Sequence, residues 1–447
     1  MTHDHFENIR AQILALFETQ DRTAAWEQVW QLVERQKDRE TALAVLTVLE
    51  GHPPDTNFGL AMFENIFDAH ENDDVVVAAL ADQLEYARDI SFLNDAPPTS
   101  ELFEKLIERL SAMRAAEGKD TDEKLLAALA HTARLMGRQH DVLAESCYRS
   151  LVALKSDKAN NHYNYGLFLK TRGRFAEGVK ANWTATQLAK TSHEAYQWNL
   201  GICATGAGQG EVALQVWKTM GNKIEMGRFE LPEGRYPSCK VRLAERPLAE
   251  RDSANDDPGL EETIWIERLS PCHGIIRSVL YYDLGVDYGD VVLIDGAPIT
   301  YHRYGEDQIP VFPHLATLIR RRYQFFEFAG IQTEERQLSG ITSELDQDSV
   351  IYSHTEQYHV LCATCWRDSD IDHDHQEKLT KHVVTGRIAV PPDVAPAQIM
   401  AQIKAAIAAR PGSELYSPAL CQAAGYEAQV TEDRRKFDLL TLNGTEQ

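Results

Sequence analysis

The chain has 447 residues, of which 43% are hydrophobic and 25% are charged. This is an ordinary globular composition that argues against wholesale disorder, and the length allows two or three domains. The formal net charge is −23. Such an excess of carboxylates disfavours nucleic acid and anionic membrane surfaces, because both require basic protein surface. We therefore expect a protein or peptide partner, basic or amphipathic in character.

No stretch of the sequence offers the ~18 consecutive apolar residues that a spanning helix needs, so we expect no membrane insertion. The first residues, MTHDHFENIR, lack the basic and apolar regions of a secretory signal. The 7 cysteines are scattered along the chain, a pattern typical of reduced thiols. We therefore predict a cytoplasmic protein.

Residues 1–120 carry apolar side chains at helical spacing in segment after segment, in stripes that begin at Phe6 and Trp26. Pro97-Pro98 interrupts the chain, and Thr99-Ser100 predicts a cap for the helix that follows. About twelve helices fit before residue 221 by this periodicity. No clean repeat motif is visible here, so we interpret the region as a degenerate helical-repeat array.

Residues 121–221 contain a helical-hairpin pattern that occurs twice in succession, first from Asn161 and again from Ala195. Small residues occur at the same positions in both copies, and each one in the second copy follows its counterpart in the first by 35 positions. These pairs are Gly166 and Gly201, Gly173 and Gly208, and Gly178 and Ala213. A period in the thirties predicts stacked helix pairs, because each hairpin can bury its apolar face only against its neighbours.

This pattern resembles the tetratricopeptide repeat (TPR) family over about residues 121–221. Tyr165-Gly166 and Leu200-Gly201 stand where the family has its Leu-Gly pair. The resemblance implies an all-α, TPR-like helical-repeat solenoid that binds another protein in a groove. It also implies which residues face that groove: Tyr163, Asn164, Leu167, Lys170, Trp198, Asn199 and Ile202.

Some members of the family hold an acidic peptide terminus with lysines and asparagines. Asn164 and Asn199 match the asparagine position. We expect no such clamp, because the neighbouring groove positions carry, instead of lysines, Tyr163, Leu167, Trp198 and Ile202. An apolar groove favours an amphipathic helix or an extended hydrophobic segment. The alternative is that Tyr163 and Trp198 are covered by the next helix or by the following linker.

Residues 222–261 are punctuated by proline and glycine, which predicts an extended linker or wrapping segment. Residues 262–447 change to short runs rich in valine, isoleucine and aromatic residues, typical of strands. Pro313–Ala329 and Ala395–Ala409 are predicted to be helical. The chain is therefore expected to be multidomain, with a helical-repeat solenoid followed by a smaller α+β domain of no recognised family.

Four residues of the C-terminal region are candidate zinc ligands: Cys272, His273, Cys362 and Cys365. The segment around Cys362 and Cys365 resembles a strand, on which residues three apart point to opposite faces. We therefore prefer buried structural thiols and expect no cofactor, with a zinc site or a redox pair as the alternatives.

Three further polar groups have both a structural and a chemical interpretation. The run Asp368–His375 is either a solvated acidic loop or a metal site. His354, Glu356 and His359 are either alternating strand residues or acid–base partners. Arg320–Arg322, on a predicted helix, either docks on an acidic surface of the chain or binds an anionic ligand.

From these features we predict an adaptor, chaperone or inhibitor that binds a protein through the groove without catalytic turnover. The first alternative is an enzyme with cysteine, histidine or zinc chemistry in the C-terminal domain, whose repeats recruit substrate. The second is a structural subunit of a larger assembly. The sequence contains no G-x-S-x-G, phosphate-loop, H-E-x-x-H or dinucleotide-binding motif.

Overall fold

A computed structural model describes all residues except 1, 50, 53, 55, 85–100, 117–120, 253–256, 347, 368–377 and 443–447. The predicted break at Pro97-Pro98, the cap at Thr99-Ser100 and the acidic run Asp368–His375 lie outside the described residues. The chain divides into two compact units. The first unit comprises Met1–Gly259, Arg268–His273 and Leu293–Ala316, and the second comprises Leu260–Glu267, Gly274–Val292 and Thr317–Gln447.

The N-terminal half of the chain is helical, as predicted. The α-helices that the structure describes there are α1 (Thr2–Thr19), α2 (Arg22–Arg35), α3 (Arg39–Val48), α4 (Thr56–His70), α5 (Asp74–Asp82), α6 (Glu101–Ala115), α7 (Glu123–Met136), α8 (Asp141–Leu154), α9 (Ala159–Thr171), α10 (Phe175–Leu188), α11 (Glu194–Gly206) and α12 (Gly210–Thr219). A short 3-10 helix, Arg138–His140, joins α7 to α8. Within the described ranges, no helix is both long and apolar enough to cross a bilayer.

Aspartates start several of these helices. The side chains of Asp21, Asp38, Asp73 and Asp122 each accept at least one backbone N–H from the first turn. This satisfies donors that the start of a helix leaves unpaired. The apolar stripes of α1 to α9 then meet in one buried core, whose members include Ile13, Trp26, Phe63 and Phe103 among many others.

Strands dominate the C-terminal half of the chain. They are β1 (Ile224–Met226), β2 (Pro232–Gly234), β3 (Cys239–Ala244), β4 (Glu261–Arg268), β5 (His273–Ile276), β6 (Val291–Ile294), β7 (Thr300–Tyr304), β8 (Asp307–Ile319), β9 (Gln324–Gln332), β10 (Val350–Cys362), β11 (Lys378–Val390) and β12 (Glu414–Tyr416). The accompanying helices are α13 (Ala363–Arg367), α14 (Pro396–Ala408), α15 (Pro418–Ala423) and α16 (Glu427–Leu442). Short 3-10 helices cover Leu248–Glu250 and Ser339–Glu344.

Glycines set the close spacing within the hairpins α9–α10 and α11–α12. A Cβ atom on Gly166 would lie 2.4 Å from the Asn182 side chain, and one on Gly201 would lie 2.4 Å from the Trp217 ring. The two contacts are equivalent, because Asn182 and Trp217 are also 35 positions apart. The repeated hairpin that the glycine phase predicts is therefore present in the structure.

The turns and the stacking of these hairpins follow the same phase. Gly173 and Gly208 follow the first helix of each pair with φ angles of 70° and 69°, a left-handed conformation that glycine adopts without strain. A Cβ atom on Gly178 would lie 2.7 Å from Sγ of Cys203 on the following hairpin. Small residues thus bring together both the helices of a pair and consecutive pairs.

The stretch 222–261, predicted as a linker or wrapping segment, is folded against the first unit over most of its length. Strands β1 and β2 form an antiparallel hairpin with Met226 opposite Pro232. Strand β3 runs parallel to β8, with Lys240 opposite Val311, and β8 also pairs antiparallel with β7. The prolines and glycines of this stretch therefore punctuate short strands.

The second unit contains a four-stranded antiparallel sheet in the order β10-β11-β9-β12. One apolar cluster joins β9 and β11 to α14 and α15 through residues such as Phe328, Ile388 and Ile399. Another joins the sheet to α16 through Val383 and Leu440. Helix α14 confirms the helix predicted at Ala395–Ala409.

The helix predicted at Pro313–Ala329 is wrong. Strands β8 and β9 occupy this stretch, joined by a turn in which Arg322 has a φ of 57°. Every residue from Val311 to Ala316 is buried, and a continuously buried run of this length does not distinguish a strand from a helix by periodicity. The arginine triplet therefore lies in a turn, where the backbone N–H of Arg321 donates to Asp290 Oδ1 at 2.6 Å.

Candidate protein-binding groove

The predicted groove residues lie on α9 and α11, the first helices of two consecutive hairpins, at matching positions. We call the set on α9 the first row and the set on α11 the second row. The periodicity adds Thr205, which follows Lys170 by 35 positions. The first row is Tyr163, Asn164, Leu167 and Lys170, and the second row is Trp198, Asn199, Ile202 and Thr205.

The second row is covered by the chain itself. Asn199, Ile202 and Thr205 are at most 5% exposed. Trp198 lies under Gly296, where a Cβ atom would come within 2.9 Å of the indole ring. A side chain at position 296 would therefore push the cover away from the row.

The cover is formed by residues 268–273 and 293–316, which belong to the same compact unit as the helices. Its two parts are joined by a hydrogen bond from the Ile294 N–H to the Cys272 carbonyl at 2.8 Å. The Cys272 thiol in turn donates to the Thr205 hydroxyl at 3.4 Å. The cover thus contacts the second row at both of its ends, through Thr205 and through Trp198 under Gly296.

Lys170 connects the first row to this cover. Its Nζ lies 2.9 Å and 2.8 Å from the two carboxylate oxygens of Asp295 and donates to Asn199 Oδ1 at 3.1 Å. The side chains of Lys170 and Asp295 are only 4% and 19% exposed. A buried ammonium group requires such acceptors, because desolvation of an unpaired charge is strongly unfavourable.

The turns of the repeats hold another part of the chain. The Arg138 guanidinium donates to the carbonyls of Thr171 and Leu248. A Cβ atom on Gly173 would lie 2.5 Å from the Ala249 carbonyl oxygen. Leu248 and Ala249 therefore pack on the turns of the hairpins, whereas the cover of the second row comes from farther along the chain.

The first row differs from the second because Tyr163, Asn164 and Leu167 remain partly exposed. The Tyr163 ring packs on Tyr196 with centroids 4.8 Å apart, and Tyr196 stacks on His193 at 4.2 Å. The row therefore presents aromatic, aliphatic and amide groups side by side.

The sequence did not indicate the residues that cover the second row. Thr205 could have been found from the 35-residue offset to Lys170, but Asp295 and Gly296 carry no local signal. Asp295 is separated from Lys170 by 125 positions, and no periodic pattern relates the two.

The zinc candidates Cys272 and His273 have partners of their own. The Ser270 hydroxyl lies 2.5 Å from His273 Nδ1, and its oxygen accepts the backbone N–H of Cys272. Burial raises the pKa of Cys272 to about 11 and lowers the pKa of His273 to about 4. Without a metal ion, both side chains are thus neutral near pH 7.

Cys362 and Cys365 do not lie on one continuous strand, in contrast to the prediction. Strand β10 ends at Cys362 and helix α13 begins at Ala363, so the chain changes direction between the two cysteines. Desolvation and the neighbouring Cys362 thiol raise the pKa of Cys365. The 7 cysteines are all free thiols, and the described part of the chain contains no group of three or more His, Cys, Asp or Glu side chains placed to hold a metal ion.

The other acid–base candidates have separate partners on β10. His354 Nε2 lies 3.0 Å from the Val279 carbonyl oxygen, and Glu356 accepts a hydrogen bond from the Gln332 amide at 2.8 Å. His359 is buried, which lowers its pKa. This arrangement fits the interpretation as alternating strand residues.

No model of a known protein family matches the chain, and no curated protein matches it. Among solved structures, "MamA MSR-1 C2" is similar with a TM-score of 0.30 and 17% identity over 41% of this chain and 92% of that one. YrrB, described as a TPR protein with an unusual peptide-binding site, has a TM-score of 0.27 and 14% identity over 42% and 89%. A further MamA structure has a TM-score of 0.27 and 13% identity over 46% and 99%. The repeat assignment for this chain rests on the glycine contacts within its own hairpins.

Proposed function

We propose that this chain is a protein-binding adaptor, chaperone or inhibitor whose TPR-like hairpins bind a partner segment through the first row. One contrast supports the proposal. The second row is occupied by the chain's own residues 295 and 296, whereas Tyr163, Asn164 and Leu167 of the matching first row keep partly exposed surface. A row that accommodates a segment of the chain itself on one hairpin suggests that the matching row on the other hairpin suits a segment of another protein.

The partner that fits this row is an amphipathic segment with basic residues beside its apolar face. Apolar side chains would pack on Tyr163 and Leu167, and the Asn164 amide would hydrogen-bond to polar groups of the segment. The net charge of −23 favours approach of a basic partner and opposes approach of an acidic one.

A photo-crosslinking experiment tests this proposal. Tyr163 is replaced by p-benzoylphenylalanine in the full chain, which is expressed in its native host and irradiated. The matched control carries the same group at Trp183 on α10, a side chain that is 41% exposed. We expect a discrete adduct with another protein from position 163 and not from position 183, with the attachment site read by mass spectrometry.

The partner peptide in that adduct should be amphipathic and carry basic residues. Equal adduct patterns from both positions, or no adduct from position 163, would contradict the proposal. Circular dichroism and the melting temperature of both proteins would show that each is folded.

A further inference from the structure

The loop that covers the second row is held on one side by a polar cluster. Lys170 Nζ contacts both oxygens of Asp295 and also Asn199 Oδ1. The side-chain amide nitrogen of Asn199, Nδ2, is buried and has no hydrogen-bond partner among the described residues. The cluster therefore has a donor that the present occupant leaves unused.

The covering loop, residues 295–299, is more exposed than the row beneath it. Its residues are partly or fully exposed, whereas Asn199, Ile202 and Thr205 are buried. Three loop residues make no hydrogen bond to the helices through a backbone N–H. Pro298 has no N–H, and the Gly296 N–H donates to Asp295 Oδ1 within the loop at 2.7 Å. The Ile299 N–H donates to the Val311 carbonyl at 2.8 Å. Among the described residues, the Asp295 side chain thus provides the charged attachment of the loop to α9, and Gly296 packs on Trp198 of α11.

We propose that loop 295–299 is a built-in, displaceable occupant of the second row, which a partner reaches only when the contact between Lys170 and Asp295 opens. This inference rests on the proposed function and assigns a regulatory device to the same groove. An incoming segment would have to bring an oxygen acceptor for Lys170, because the buried ammonium group cannot remain unpaired. That acceptor could also use the spare Asn199 donor.

A charge-reversal series tests the proposal in the full chain. Asp295→Lys places two cations together and opens the loop, whereas the double variant Lys170→Asp with Asp295→Lys restores the attraction with reversed polarity. Hydrogen exchange of the Ile299 amide should be at least about tenfold faster in Asp295→Lys, because a loop that has lost its anchor frays at the bond from the Ile299 N–H to the Val311 carbonyl, and should return towards the original rate in the double variant.

The same proteins then carry the photo-crosslinker at position 163. The adduct yield should rise several-fold in Asp295→Lys and fall again in the double variant, because an open second row extends the surface that the partner contacts. Asp295→Asn provides a milder opening if charge reversal prevents folding, and it should shift both readouts in the same direction by a smaller amount.

Failure of this inference and failure of the proposed function give different results. Adducts of unchanged yield across the series, with or without faster exchange of Ile299, would overturn the regulatory role of the loop and leave the first row as a binding surface. No adduct from any variant, including the original chain, would overturn both proposals. Unchanged exchange in Asp295→Lys would show that the loop is a fixed part of the fold.

Discussion

The hairpins α9–α10 and α11–α12 have the same glycine phase, and their rows of side chains match position by position, but they differ in what lies over them. Loop 295–299 and Cys272 cover the row on α11, whereas most of the row on α9 stays partly exposed. Repeat spacing alone therefore does not determine which surface is available for binding. Residues from a distant part of the chain determine which row is covered.

The hairpins also differ in what their central glycines contact, and this predicts the largest effect. Gly201→Ala should lower the free energy of unfolding by about 3 kcal/mol, because the new methyl group meets the fully buried Trp217 ring at 2.4 Å. Gly166→Ala should cost about 1 to 2 kcal/mol, since the smaller Asn182 side chain can shift more easily. Urea unfolding followed by circular dichroism measures both.

Gly340→Ala is the matched control, because no atom lies within 4 Å of its added Cβ and its φ is not positive. It should leave the unfolding midpoint nearly unchanged. Equal losses of unfolding free energy for Gly166→Ala and Gly201→Ala would show that the two hairpins tolerate an added methyl group equally well, which would contradict the predicted difference between them.

Alanine substitution in the two rows should separate core from surface. Trp198→Ala should cost about 2 to 3 kcal/mol, because this ring packs on Trp217 and under Gly296. Tyr163→Ala, at the matching position, should cost about 1 kcal/mol, because its ring packs on Tyr196, and should mainly reduce crosslinking at a neighbouring position such as Leu167. If Tyr163→Ala is the more destabilising of the two, the first row is core and the groove has been misplaced.

The ion pair that joins the rows can be separated from simple packing by a double-mutant cycle. Lys170→Met should cost about 2 kcal/mol, because it leaves the Asp295 carboxylate, 19% exposed, without its cation. The double variant Lys170→Met with Asp295→Leu should recover most of this loss, since no unpaired charge remains. Additive losses in the thermal or urea unfolding of the four proteins would mean that the two residues do not interact.

The cover also predicts a dependence of stability on pH. The folded pKa of His273 is lowered to about 4 from 6.5 by burial, so the unfolded chain takes up a proton before the folded chain does. This contribution to stability is present above pH 6.5 and is lost as the pH falls towards 4, at up to about 1.4 kcal/mol per pH unit. His273→Asn removes the titrating group and should flatten this part of the profile.

Buried His131, whose pKa is lowered to about 3, affects the original chain and the variant alike and cancels in their difference. Parallel profiles for the two proteins between pH 6.5 and 4 would show that His273 is not the group responsible.

The smallest effect concerns reactivity instead of stability. Partly exposed Cys362 and Cys365 should react first with a thiol reagent in the native protein, whereas buried Cys203 and Cys272 should react only on unfolding. Burial raises the pKa of Cys203 to about 12. The variant Cys362→Ser with Cys365→Ser should lose the fast phase, and about one zinc ion per chain released by the reagent would restore the metal-site alternative.

Local patterns predicted local structure well in this chain. The phase of Gly166 and Gly201 was enough to predict the hairpins, because close helix contact requires a small residue at a fixed position. The same reasoning failed at Pro313–Ala329, since residues buried on every side lose the alternation that marks a strand. It also failed between Cys362 and Cys365, where a strand gives way to a short helix without glycine or proline.

The candidate site was only partly predictable for a related reason. The positions of Tyr163 and Trp198 follow from the repeat, but the contact of Trp198 with Gly296 does not, because Gly296 belongs to no repeat. Long-range contacts of this kind depend on tertiary packing, and a single sequence carries no periodic signal for them.

The separation of 125 positions between Lys170 and Asp295 has a consequence for biosynthesis. A ribosome that adds about 5 to 20 residues per second completes α9 and α11 several seconds before it reaches the loop. During that interval the nascent helices present an uncovered indole and an uncompensated ammonium group to the surrounding cell. Until residue 295 is made, the emerging chain therefore lacks the part of its own sequence that covers the second row.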